Sequence, residues 1–233
     1  MKRFKFQYKE TIVTILTESE EFYKIAVNAI LEARSEIESY ILHNPDFFTS
    51  YEPIDCSGGE IINRMCRAGE IAGVGPMAAV AGTIASYAVE RMIEAGAKLA
   101  VVDNGGDIVI HTDRELLIGI YPSNLAFKVQ PVDYMAICTS SGKIGHSVSF
   151  GKADAATVIS RDGSVADALA TALGNTIGDF GKDELERTVS EFYKKYSKFA
   201  EGILVIKDDL IAMAGNLPPI VSAKSGEDLI TKG

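Results

Sequence analysis

The stretch Leu99–Ile110, LAVVDNGGDIVI, restricts the fold more than any other part of the chain. An apolar run, Leu99 to Val102, meets Asp103-Asn104-Gly105-Gly106-Asp107, and a β-branched run, Ile108 to Ile110, follows at once. Asn-Gly and Gly-Gly between apolar runs read as a tight hairpin, because the turn needs positive φ angles that Gly and Asn tolerate. Taken alone, such a turn carries solvated carboxylates. The alternative is that Gly105 and Gly106 let backbone amides approach a ligand while Asn104 and Asp107 reach it with their side chains.

A chain of 233 residues can bury a sizeable core. Its formal charge of −9 argues against non-specific nucleic-acid binding, which needs clustered Lys and Arg, and is compatible with recruitment of divalent cations. No apolar run approaches the roughly 20 residues needed to span a bilayer. The start, MKRFKFQYKE, is basic but lacks the apolar core of a signal peptide, so a cytoplasmic address is expected, with no membrane contact. The three cysteines, Cys56, Cys66 and Cys138, lack CxxC spacing, which speaks against a disulfide scaffold or a zinc site. A thiol or sulfur-handling role for them is a weaker alternative.

Alternation over Phe4–Tyr8 and Thr11–Leu16 predicts two strands. Thr17-Glu18-Ser19-Glu20 fits a capping box before a helix with Ile25, Ala26, Ala29, Ile30, Ala33 and Ile37 on one stripe. Glu32, Arg34, Glu36 and Glu38 read as its solvated face, and Asn44-Pro45 as its stop. Residues 46–56 read as irregular, and Ser57-Gly58-Gly59-Glu60 as a second capping box. Pro76 opens a helix of small residues that runs to Ala95 and carries no charge before Glu90, capped by Gly96. Such a helix packs closely on a sheet or admits a ligand to its backbone.

Strands are further expected at Lys98–Val102, Ile108–His111, Leu116–Tyr121, Asp133–Cys138 and Ala155–Ser160, with Pro122–Pro131 as a surface connection. Thr139 to His146 is polar and Gly-punctuated, either an ordinary loop or one that turns hydroxyls and amides onto an anion. Ser164 is expected to cap a helix on which Asp167 and Thr171, four residues apart, share one face. Their oxygens suit a hard cation such as Mg²⁺, although the spacing alone favours a solvated Asp and a locally bonded Thr. A polar helix over Asp183–Phe199 and a hairpin at Ile203–Met213 follow, and the tail after Asn216 is expected to be poorly ordered. No linker divides the chain, so one domain over residues 1–233 is expected.

Three separated segments resemble one family, the ApbE-like flavin transferases (FAD:protein FMN transferases). Ala81–Arg91, AGTIASYAVER, is similar to the family's Gly-Gly-Ile-Ala-Lys-Gly-Tyr-Ala-Val-Asp-Arg helix. VDNGGDI at 102–108 is similar to its Asn-x-Gly-Gly-Asp motif, and ADALATAL at 166–173 to its Ala-Asp-Ala-x-Ala-Thr-Ala motif. Ser140-Ser141-Gly142 resembles its Thr-Ser-Gly. The likeness covers about residues 70–175 and implies an α+β fold, T-fold-related, with mixed or antiparallel sheets and packed helices.

By this resemblance the chain would bind FAD and Mg²⁺ and move the FMN moiety to a protein acceptor. Asp167, Thr171 and a backbone carbonyl near Gly82 would hold the metal. Asn104, Gly105, Gly106, Asp107, Ser140, Ser141 and Gly142 would line the flavin and pyrophosphate site, and His146 and Asp167 would be the catalytic pair. Expected partners are a flavin or other nucleotide, an acceptor protein and a second copy of the chain. This chain departs from the motif at Ala85 and Ser86, where the family has Lys and Gly, and it lacks the Asp-Pro segment after His146. These departures point to the family's uncharacterised branch and leave a non-catalytic binding protein on the same scaffold as the alternative.

Overall fold

The computed structural model describes residues 1–142 and 151–222. His146 lies outside the described residues. Strands β1 (Lys2–Tyr8) and β2 (Thr11–Thr17) precede helices α1 (Glu20–His43), α2 (Asp46–Thr49) and α3 (Glu60–Ala72). A 3-10 turn at Pro76–Ala79 leads into α4 (Val80–Glu94). Then come β3 (Leu99–Asn104), β4 (Asp107–Thr112), β5 (Leu116–Ile120), β6 (Leu125–Val129), β7 (Val132–Ser140) and β8 (Ala155–Ser160). The chain continues with α5 (Gly163–Thr176), α6 (Lys182–Tyr196), β9 (Gly202–Lys207), β10 (Leu210–Gly215) and β11 (Ile220–Ser222).

Two sheets result. The larger has eight strands in the order β1-β2-β3-β4-β7-β8-β9-β10, every neighbouring pair antiparallel. The smaller is β11-β6-β5. Because side chains alternate along a strand, each strand of the large sheet feeds two cores. Leu99, Val101, Ile110, Ile137, Ile159 and Leu204 pack with Ile120, Phe127 and Val129 of the small sheet. Ala100, Val102, Val109, Ala136, Val158 and Val205 pack under the helices. On that second face α4 covers β3 and β4, α5 covers β7 and β8, and α6 covers β10 and β9. α1 packs on α4, and α3 on α5. The fold is α+β with antiparallel sheets, as the sequence leads one to expect.

Several local readings need correction. Thr17 stays in β2 and Ser19 is the cap of α1, accepting from the Phe22 amide at 3.4 Å; the Glu18 carboxylate instead takes the amides of Lys98 and Leu99 at 2.8 and 3.1 Å. Strand continuity wins over the capping box. Ser57 caps nothing: Gly59 precedes α3, and the free Ile62 amide is satisfied by Glu36 of α1 at 3.1 Å. Glu36 is thus no idle member of a solvated face. α5 is capped by Asp162, which accepts from Val165 at 3.2 Å, and Ser164 turns inward to Thr83 at 2.8 Å.

Residues 46–49 form α2 rather than irregular chain, and 122–131 contain β6. The tail after Asn216 supplies β11, paired with β6 through Ile220↔Phe127. A single short strand could not show periodicity, and its order comes from that pairing. Cys56 and Cys66 form a disulfide with Cα atoms 6.1 Å apart, contrary to the expectation of free thiols. The Ser57-Gly58-Gly59 reversal carries the chain back along α3, which brings the two residues together despite their unpromising spacing.

Candidate functional site

The hairpin turn at Gly105-Gly106 has φ of +69° and +103°, which only residues free of a Cβ penalty adopt easily. The turn leaves Asn104 and Asp107 opposite each other at the strand ends. Both belong to the helix-facing set of their strands, and they are 8 % exposed. They are therefore not the solvated carboxylate and amide of a simple turn. The Gly106 amide, however, is taken by Asp103 Oδ1 at 3.0 Å, so it is not offered to a ligand. The Asn104 side-chain amide donates to the Ala81 carbonyl at 3.2 Å and ties the hairpin to the start of α4.

α4 and α5 cross in backbone contact. A Cβ on Gly82 would stand 2.3 Å from the Gly163 carbonyl and 2.7 Å from Asp167 Cβ; one on Gly163 would meet Ser86 Oγ. This is the reason for the run of small residues in α4. The close crossing lets the Gly82 amide donate to Asp167 Oδ2 at 2.8 Å, across 85 residues of sequence. The amide of Ala81 also reaches Asp167. The Gly82 carbonyl takes the Ser86 hydroxyl at 2.7 Å, and Ser86 in turn accepts from Tyr134 at 2.8 Å. Gly82 thus contributes its amide to the site, while its carbonyl is engaged within its own helix. Ala85 is fully buried in the helix-side core, where the family motif has Lys.

From the sheet, β4 pairs with β7 through Ile108↔Ile137 and Val109↔Ala136, and that register sets Asp107 beside Cys138. The Cys138 thiol donates to the Gly163 carbonyl at 3.7 Å. Ser140 follows two residues along β7 on the same face. Asp107 Oδ1 and Ser140 Oγ are buried and have no hydrogen-bond partner. Thr171, one turn beyond Asp167 on α5, is 8 % exposed. Gly142 spends its amide on the Ala153 carbonyl at 3.0 Å, closing the base of the loop.

Burial holds Asp107 well above the usual carboxylate range, and the charge of Asp167 adds to it. Burial likewise pushes Asp167 up to about 7, opposed by the amides of Gly82 and Ala81. The Cys138 thiol is raised by burial first and then by the charges of Asp107 and Asp167. An unpartnered carboxylate oxygen beside a second buried carboxylate is a costly arrangement in an apolar interior. The donor set, carboxylate and hydroxyl oxygens, has the chemistry of a hard-cation site. Among the described residues no cluster of three His, Cys, Asp or Glu could hold a metal, so water or a ligand would have to complete the shell.

The structure therefore brings Asn104, Asp107, Ser140, Asp167 and Gly82 together from four separated segments, with Thr171 one helical turn from Asp167. From sequence Cys138 is a thiol candidate, and nothing there announces its burial or the Tyr134–Ser86 link. The parity of Cys138 and Ser140 along one strand was the available signal. Two open cavities, of about 490 Å³ beside Lys98, His111 and Asp133 and about 400 Å³ beside Arg67, Arg161 and Tyr193, include none of these residues.

An antiparallel α+β fold with a buried oxygen cluster between sheet and helices defines the class. A family model described as "AbpE bacteria" matches residues 1–209, and the chain belongs to that family. A UPF0280 protein of Archaeoglobus fulgidus is 84 % identical over 233 residues, covering all of both chains. Another, from Methanothrix thermoacetophila, is 45 % identical and again covers both chains fully. Among solved structures the fold is similar to the flavin transferase ApbE of Vibrio cholerae, with a TM-score of 0.61 at 12 % identity over 91 % of this chain and 96 % of that one. It is also similar to the apo flavinyl transferase ApbE of Pseudomonas stutzeri, with a TM-score of 0.55 at 13 % identity over 100 % and 97 %. Among the described residues no single helix is long and apolar enough to cross a membrane.

Proposed function

We propose that the chain, as one ApbE-like domain, is a Mg²⁺-dependent flavin-nucleotide enzyme of the flavin-transferase type. The observation that carries this reading is the buried pair Asp107 and Asp167, one of whose oxygens has no partner, on a scaffold shared with flavin transferases. When bound, a magnesium ion neutralises charge on a pyrophosphate and orients it for cleavage. Asp167, aimed by the amides of Ala81 and Gly82, and Thr171 are the residues to hold it. Asn104, Asp107 and the Ser140-Ser141-Gly142 segment would bind and orient the nucleotide, with His146 as the group that moves the acceptor's proton. The acceptor is a protein hydroxyl.

A second reading is favoured by Ala85. With an apolar residue buried at the family's lysine position, one cation that would face the pyrophosphate is gone, a loss of several kcal/mol of transition-state stabilisation on the order of single oxyanion contacts. The chain would then bind the nucleotide without cleaving it. Incubation of the purified protein with FAD, Mg²⁺ and a Thr-containing acceptor separates the two: release of AMP supports the transferase, and Mg²⁺-dependent binding without AMP supports the binding protein. Absence of FAD binding with and without Mg²⁺, in both the native chain and Asp167→Ala, defeats both.

A further inference from the structure

The β4–β7 register makes Asp107 and Cys138 cross-strand neighbours on the helix-facing side, with Ser140 next along that face. The Cys138 thiol donates to the Gly163 carbonyl at 3.7 Å, at the start of α5. Among the described residues Asp107 Oδ1 and the neighbouring Ser140 Oγ have no hydrogen-bond partner. Asp107 and Ser140 are at least nine-tenths buried. Asp167 enters the same space from α5, its Oδ2 fixed by Gly82. Among the described residues no Lys or Arg forms an ion pair with either carboxylate. An exposed pair could rely on solvent, but a buried pair cannot.

We propose that Asp107 is a direct ligand of the divalent cation, sharing it with Asp167 and offering its bare Oδ1 as the donor atom. The inference rests on the cation reading given above and changes the role of Asp107 from a nucleotide contact to a metal ligand. Ser140 Oγ is left to a water or a phosphate oxygen in the same shell.

The test uses Mn²⁺ alone as the probe, with binding followed by electron paramagnetic resonance of the free ion and melting followed in chelator. The full-length chain is compared with Asp167→Asn and Asp107→Asn. Removing an orienting partner of a metal ligand typically costs 10–100-fold in affinity. Asp107→Asn is expected to weaken Mn²⁺ binding at least tenfold, with melting in chelator unchanged or raised. Native-like affinity in Asp107→Asn, alongside loss in Asp167→Asn, overturns the inference and leaves the cation reading intact. Failure of the unmodified chain to bind Mn²⁺ removes the cation reading itself.

Discussion

The two faces of the large sheet come from the same strands and differ in kind. Toward the small sheet, β3, β4 and β7 present Leu99, Val101, Ile110 and Ile137, branched and wholly apolar. Toward the helices the same strands present Ala100, Val102, Val109, Ala136 and Cys138, and at one end Asn104, Asp107 and Ser140. Sheet-on-sheet packing fills its gap with large side chains. The helix face is lined with small ones because α4 and α5 meet backbone to backbone at Gly82 and Gly163. Close approach exposes main-chain amides to the interior, and those amides make a buried carboxylate tenable. Large residues build stability on one face, and small residues build a site on the other.

The sharpest way to break the contrast is through charge. Asp167 has a folded-state pKa of about 7 against the usual 3.8, so the folded chain holds that proton more tightly than the unfolded one. Stability from this group is whole below pH 4 and declines as pH rises through 7, by about 4 kcal/mol at most. In chelator, Asp167→Asn is expected to flatten that decline and melt above the native chain at pH 8, while losing cation binding. Denaturant titrations at several pH values measure both. No such pH dependence should attach to substitutions on the other face.

On that face, Ile159→Ala should cost about 3 kcal/mol by emptying a dry core, with cation and flavin binding unchanged. Gly82→Ala should cost ~2 kcal/mol by forcing α4 off α5, and here binding should fall as well, since the amide on Asp167 moves with the helix. A Gly82→Ala protein that kept full Mn²⁺ affinity would show that the crossing serves packing alone. The smallest effect is expected for Tyr134→Phe, about 1 kcal/mol for the hydrogen bond to Ser86, measured by urea unfolding.

The architecture was largely legible in the sequence because its strands alternate and its α1 stripe is regular. What failed were decisions between local partners and distant ones. Thr17 against Ser19, and Ser164 against Asp162, were settled by which residue the sheet and the neighbouring helix left free. β6 and β11 have each other as partners and show little periodicity of their own. For the site, Asp107 and Asp167 could be found from motif and spacing, and their burial could not. Whether a hairpin carboxylate faces water depends on what packs over it, here α4 and α5 across long stretches of chain. The burial of Cys138 had no signal apart from its parity with Ser140. The disulfide escaped because loop reversals set Cys spacing in space, not in sequence.

The bond from the Gly82 amide to Asp167 spans 85 residues, and Asn104, Asp107 and Cys138 lie between its ends. Such distant contacts form late, since the loops between them must close first. Helices and hairpins can therefore appear, and the aliphatic core collapse, before any ligand pocket exists. Binding competence should lag behind circular dichroism during refolding, which makes Mn²⁺ capture a clock for the last step of assembly.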